Sequence, residues 1–283
     1  MPDAQTPGDR TTDTQATGGR LDAELVRRGL ARSRAVAADA VAQGLVTVEG
    51  RPALKPSIKV SAEAVLELAG SDHYVSRGAH KLIAALDAFG VDPSGRVALD
   101  AGASTGGFTQ VLLERGASRV FAVDVGHGQL ASPVLENPAV VNLEGENLRY
   151  LTRESSAFRL GTADPTDLGW PSLVVGDVSF ISLTQLLEPL AALAQPDADF
   201  VLLVKPQFEV GRGGVKEGIV RDRGARHDAA SSVLWAAWDL GIGSLGIIDS
   251  PIPGGSGNRE YLVHLRRGAP DPGELRAALT GLA

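Results

Sequence analysis

A doubly wound α/β sheet preceded by a small α+β module is the fold that this 283-residue chain predicts, and three observations carry it. From Arg96 onward, short apolar runs alternate with helical periods. The first of those runs ends in a glycine-rich turn that opens a helix, as at the carboxyl edge of an open α/β sheet. Residues 20–70 show instead two short helical periods followed by strand-like alternation. The hydrophobic content of 43% is enough to give both parts a core.

Residues 1–19 are polar and acidic and read as a disordered tail. Leu21, Leu25 and Val26 then recur at helical spacing, and Gly29 closes that helix. Ser33 offers a capping hydroxyl to a second helix with Val36, Ala40 and Val41 on its buried stripe, and Gly44 ends it. Leu45, Val46 and Val48 form a strand, Glu49-Gly50 a turn, and Val60 with Ala64 to Leu68 continue the same small sheet. Residues 71–76 form a polar linker, and a helix runs on through Phe89. The second domain, 77–267, places strands at VALDAGA, RVFAVDVG, VVNLEG, SLVVGDVSF and FVLLVKPQF, with two more near 244–249 and 261–265. Helices fall at 109–115, 183–194 and 226–240, and residues 268–283 form a C-terminal tail with a short helix.

The chain has no cysteine, which excludes disulfide frameworks, thiolate metal sites and a cysteine nucleophile; no metal site is expected. No apolar run approaches the roughly 20 residues needed to span a bilayer, and the N-terminus lacks the basic and apolar order of a signal peptide. The expectation is a cytoplasmic protein with no stable membrane association. The net charge of −7 is unevenly spread: residues 20–81 hold ten Lys/Arg against seven Asp/Glu, and the rest is acidic. Affinity for a polyanion therefore belongs to the N-terminal module.

The turn Asp100-Ala101-Gly102-Ala103-Ser104-Thr105-Gly106-Gly107-Phe108 is not the G-x-G-x-x-G of a dinucleotide site, because Ala103-Ser104 follows its first glycine. A carboxylate at Asp100 would repel a pyrophosphate and could meet the ammonium of a methionine moiety. Asp124, 24 positions on and closing the second strand, is placed to accept from ribose hydroxyls, with Val125 beside it. These features fit S-adenosylmethionine better than NAD, which stays the competing cofactor. Asn147, in the loop after the third strand, is a candidate adenine contact.

Asp177 ends the fourth strand without the Pro-Pro-aromatic turn common in amine methyltransferases, and the usual cysteine route to carbon methylation is closed. An oxygen acceptor remains, and a hydroxyl needs a neighbour to remove its proton. Lys205, at the end of FVLLV, is the candidate, with Asp177, Glu260 and Lys81 able to reach the same edge.

Arg20-Leu21-Asp22, the Gly29 to Arg34 step, the Gly44 to Gly50 hairpin and Lys55 resemble the S4 RNA-binding domain. The resemblance and the helix N-terminus at Arg32, Ser33 and Arg34 make these three, with Arg20, Lys55 and Lys59, the candidate RNA contacts. Ser76 to Leu82, Asp100 to Phe108, Val123 to Gly126, Asp177 to Ser182, Leu203 to Glu209, Gly218 to Asp222 and Gly257 to Glu260 are together similar to the TlyA family, often labelled hemolysin-like, whose catalytic domain resembles FtsJ ribose methyltransferases. The resemblance implies a catalytic tetrad of Lys81, Asp177, Lys205 and Glu260, S-adenosylmethionine as cofactor, and cytidine 2′-hydroxyls of ribosomal RNA, free or in subunits, as acceptor. Gln110, His127 and Glu144 to Asn147 depart from the family pattern on the cofactor side. An RNA-binding protein with an inactive fold and a membrane-active hemolysin are the alternatives.

Overall fold

The computed structural model describes residues 18–31, 33–42, 44–68, 73–155, 169–211, 214–254 and 257–283, and the chain divides into two compact units between His73 and Tyr74. Arg32, residues 1–17 of the expected tail and residues 71 and 72 of the expected linker lie outside the described residues.

In the first unit, β1 (Gly19–Arg20) leads into α1 (Leu21–Arg27) and α2 (Arg34–Ala42). The Ser33 hydroxyl accepts from Val36 N at 3.3 Å, which caps α2 as its position suggests. β2 (Val46–Val48) turns through Glu49 and Gly50, at φ 50° and 71°, into β3 (Arg51–Pro52). Two left-handed residues in succession match the twist of a tight hairpin. β5 (Leu66–Leu68) pairs with the other side of β2, but β4 (Lys59–Val60) does not join this sheet; it pairs antiparallel with β1. Val60 therefore belongs to a separate ribbon, and Gly19, expected in the tail, is a strand residue. Leu21, Leu25, Ala37, Val41, Val46 and Val60 close one small core between these pieces.

The second unit begins with α3 (Gly78–Phe89) and continues through β6 (Val97–Ala101), α4 (Gly107–Glu114), β7 (Arg119–Asp124), α5 (Ser132–Leu135), β8 (Val140–Glu144), β9 (Leu173–Gly176), α6 (Leu187–Leu193), β10 (Asp199–Val204), α7 (Pro206–Glu209), α8 (Arg223–Asp239), β11 (Ile242–Asp249), β12 (Tyr261–Arg267) and α9 (Arg276–Gly281). The helix expected over 183–194 is split, a 3₁₀ turn at Leu183–Gln185 preceding α6. α8 starts before the expected 226 because the Asp222 carboxylate accepts from Ala225 N at 2.7 Å and caps it.

The seven strands lie in the order β11-β12-β10-β9-β6-β7-β8, parallel except for β12, which runs antiparallel to both neighbours. The unbroken apolar run of β10 is what two-sided burial requires. Phe200, Leu202 and Val204 enter the core shared with α6 and α8, while Val201 and Leu203 enter the core shared with α3 and α4. The strand order reverses between β6 and β9, so the glycine-rich turn after β6 opens at the switch point where such sheets bind ligands.

Candidate active site

Asp177 follows directly on β9, and its N–H donates to the Ala101 carbonyl at 3.1 Å, which sets it against the turn that leaves β6. Gly102 there has φ +82°, and a Cβ on it would lie 3.2 Å from the Asp177 carbonyl oxygen and the Val178 Cα. Only glycine fits that backbone and that approach. A Cβ on Gly107 would overlap the Ser76 hydroxyl, so the start of α4 is pressed still more closely onto the segment leading into α3.

Four charged side chains meet at this edge. Glu260, just before β12, pairs through Oε2 with Lys81 Nζ of α3 at 2.6 Å. Lys81 Nζ lies 4.0 Å from Asp177 Oδ2, and Asp177 Oδ1 lies 2.6 Å from Lys205 Nζ. Lys81, Lys205 and Glu260 are all buried, so two ammoniums and two carboxylates balance in a low-dielectric pocket. The resemblance named these four; the structure brings all four together.

Three residues, Glu209, Asn258 and Gly254, hold the strand ends in this arrangement. Glu209 of α7 accepts from Ser182 Oγ at 2.5 Å and from Leu183 N at 2.8 Å, tying the segment after Lys205 to the segment after Asp177. Its burial pushes the Glu209 carboxyl above the usual carboxylate range. Asn258 accepts from Val220 N at 3.1 Å and donates to the Gly218 carbonyl at 2.7 Å, fixing the loop that delivers Glu260. A Cβ on Gly254 would overlap Glu260 Oε1.

A cavity of about 490 Å³ opens beside Asp177. Of the residues expected at the cofactor, Gly102, Ser104, Asp124, Val125 and Asn147 line it. Asp124 Oδ2 accepts from Ser104 N at 2.9 Å and Oδ1 from Gly126 N at 2.8 Å, which leaves lone pairs for a ligand's hydroxyls. Asp100, Thr105, Gly106, Gly107 and Phe108 are not in the lining: Asp100 is fully buried at the end of β6, and Phe108 belongs to the core with α3. Asp100 Oδ2 accepts from Thr109 Oγ1 at 2.6 Å, while its Oδ1 is buried without a hydrogen-bond partner. Desolvation, with the Asp177 and Asp124 charges adding to it, pushes the Asp100 carboxyl up to about 7.

Sequence reasoning missed Gln129, Arg149, Ser179 and Phe180, which also line the cavity. Gln129 Oε1 accepts from Ser104 Oγ at 3.3 Å, and its Nε2 lies 3.4 Å from Asp124 Oδ1. Ser179 Oγ accepts from Lys205 Nζ at 2.7 Å. Phe180 is 91% exposed at φ +66°, with its ring centroid 5.4 Å from that of Phe208. A bulky exposed side chain in the left-handed region is the kind of strain that accumulates at ligand sites.

In the first unit, Asp22 is buried and pairs with Arg20 at 2.9 Å and with Arg34 at 3.1 Å, which holds its carboxyl well below the usual range. Arg20 and Arg34 keep exposed guanidinium surface, Ser33 is half-buried, and Lys55 and Lys59 are exposed. Arg28, unassigned from sequence, donates to the Ser61, Ala62 and Ala64 carbonyls and holds the turn after β4.

Residues 74–267 match the family model described as FtsJ-like methyltransferase, and residues 19–66 match the S4 domain model. The chain belongs to the FtsJ-like methyltransferase family. Within it stand the TlyA proteins: over 254 residues the chain is 50% identical to the 16S/23S rRNA (cytidine-2′-O)-methyltransferase TlyA of Mycobacterium tuberculosis, covering 89% of this chain and 91% of the relative. It is 36% identical to Hemolysin A of Brachyspira hyodysenteriae, covering 87% of this chain and 98% of the relative. A solved candidate hemolysin from Streptococcus thermophilus superposes with a TM-score of 0.72 at 36% identity, covering 94% of this chain and 95% of that one. Two relatives thus carry a hemolysin name. Among the described residues, no helix is long and apolar enough to cross a membrane.

Proposed function

We propose that this chain transfers the methyl group of S-adenosylmethionine to cytidine 2′-hydroxyls of ribosomal RNA, with the S4 unit supplying affinity for structured RNA. The observation that carries the reading is the buried Lys81–Asp177–Lys205 network, which opens through Asp177 into the cavity beside the glycine-rich turn.

The residues present fit the cofactor. Asp124 would hold the ribose hydroxyls, and the backbone freed by Gly102 would allow close approach. The partnerless Asp100 Oδ1, deep in a cluster with Asp124 and Asp177, favours a cationic ligand at that end. S-adenosylmethionine brings a methyl group on a positively charged sulfur. Lys205 would take the proton of the acceptor hydroxyl, and Asp177, whose Oδ1 lies 2.6 Å from Nζ, would hold the amine toward that hydroxyl. Lys81 steadies Asp177 from the other side, and Glu260 neutralises Lys81. Phe180 at the rim offers a ring on which the base of an unstacked nucleotide would stack. An rRNA acceptor assigns the enzyme to the compartment of the ribosome.

The test is to incubate the protein with S-adenosylmethionine and ribosomal RNA lacking the modification, then digest to nucleosides. 2′-O-methylcytidine is expected in mass spectra; base-methylated nucleosides in its place would refute the assignment.

Asp100 gives the cofactor site a pH signature. Its folded value, about 7, lies well above the ordinary carboxylate range, so below neutral pH the neutral form is favoured in the free protein. This contribution to stability is fully present below the unfolded value and is lost as pH rises toward 7. A cationic ligand favours the carboxylate instead, so S-adenosylmethionine affinity should rise from pH 6 to pH 8, with proton release on binding. Calorimetry in buffers of differing ionisation enthalpy measures both, and Asp100→Asn should flatten the profile. A flat profile in the wild type would mean that Asp100, buried behind the lining, does not couple to the bound cofactor.

On the S4 unit, Lys55→Ala with Lys59→Ala should weaken RNA binding across sequences and lower the slope of log K against log salt by about 1–2. An unchanged slope in filter binding would exclude both from phosphate contact.

A further inference from the structure

We propose that Ser179 is a catalytic residue that relays the proton of the acceptor hydroxyl to Lys205. The inference rests on the reading of Lys205 as the group that takes that proton, and it assigns the path.

The Lys205 ammonium donates to Ser179 Oγ at 2.7 Å and to the Asp177 carbonyl at 3.4 Å, and Asp177 Oδ1 stands against it as an ion pair at 2.6 Å. Lys205 is buried and forms no part of the cavity lining. Ser179 is exposed and does line it. A hydroxyl arriving through the cavity therefore meets the Ser179 oxygen before the lysine nitrogen. Asp177 also lines the cavity, but its two oxygens face Lys205 and Lys81. A serine hydroxyl accepts one hydrogen bond while donating another, which is what a relay needs and what an ammonium alone lacks.

The step balances. The Lys205 ammonium first gives one proton to solvent, and its neutral Nζ then takes the proton of Ser179 Oγ as Ser179 Oγ takes the proton of the 2′-hydroxyl. The freed oxygen pair forms the bond to the methyl carbon. The carbon–sulfur bond breaks with its electrons left on sulfur, which becomes a neutral thioether. Serine is regenerated and the proton rests on Lys205.

The experiment uses the full chain and unmodified ribosomal subunits. Ser179→Ala should lower kcat by about 10²-fold with the KM for S-adenosylmethionine unchanged, and Ser179→Thr, which keeps the hydroxyl, should recover most of the loss. Wild-type kcat in Ser179→Ala would overturn the relay, because the acceptor would then reach Lys205 directly. Lys205→Ala separates the two layers: full turnover there removes the base reading itself, whereas loss there with full turnover in Ser179→Ala removes the relay alone. A readout without RNA covers the case in which no subunit is methylated. Lys205 should be acylated by acetic anhydride severalfold faster in Ser179→Ala than in the wild type, since the hydroxyl screens the amine from the cavity. Equal rates would contradict the placement on which the relay depends.

Discussion

Lys81→Met is expected to destabilise the protein by about 3–5 kcal/mol, the cost of leaving a buried carboxylate without its cation. Glu260 is 3% exposed and pairs with Lys81 at 2.6 Å, and a Cβ on the nearby Gly254 would already overlap its other oxygen. Glu260→Gln should cost less, because the amide still accepts from Lys81 and Asp177 stands 4.0 Å from Lys81 Nζ. The double variant Lys81→Met with Glu260→Gln should recover part of the loss, since it leaves no unpaired charge on the Glu260 side. Urea unfolding of the three variants measures this. A Lys81→Met cost below about 1 kcal/mol, the range of exposed pairs, would mean that water reaches the pair.

Lys205→Ala should reduce methyl transfer by about 10²–10⁴-fold, the range expected when a positioned proton acceptor is lost. S-adenosylmethionine affinity should be kept, because Lys205 is absent from the cavity lining and Asp124 is untouched. Fold stability should change little, because Asp177 keeps partial exposure and Lys81 as a neighbour. Retained turnover, read in single-turnover assays at saturating cofactor, would dismiss Lys205 from the chemistry; loss of cofactor binding would show that the network shapes the cavity.

The fold was legible where burial imposes a period. β10 is apolar at every position from Phe200 to Val204 because a helix layer covers each of its faces, and the turns at Gly29, Gly44 and Glu49-Gly50 announce themselves through residues that tolerate positive φ. Less legible were pairings between short segments far apart in the chain. β4 joins β1 because backbone partners Gly19 with Val60, and two-residue strands carry no periodic signal. The tetrad emerged from motif resemblance; neither spacing nor charge would have set Glu260 against Lys81, 179 positions away. Asp100 was read as a cofactor contact from its place before the turn, but its burial and the Thr109 hydroxyl turn one oxygen inward. Gln129, Ser179 and Glu209 went unassigned because ordinary polar residues acquire a role only when a crossover brings another strand end beside them. Arg20 and Arg34 read as RNA contacts, and their pairing with Asp22 is something no helical period reveals.

The measurement that tests the central claim most directly is transfer of labelled methyl from S-adenosylmethionine to unmodified ribosomal subunits, followed by alkaline hydrolysis of the RNA. A 2′-O-methyl group blocks cleavage of the adjoining phosphodiester, so the account predicts label in alkali-stable dinucleotides beginning with cytidine, and none with Lys205→Ala. Label in mononucleotides, or no label despite confirmed cofactor binding, would contradict it.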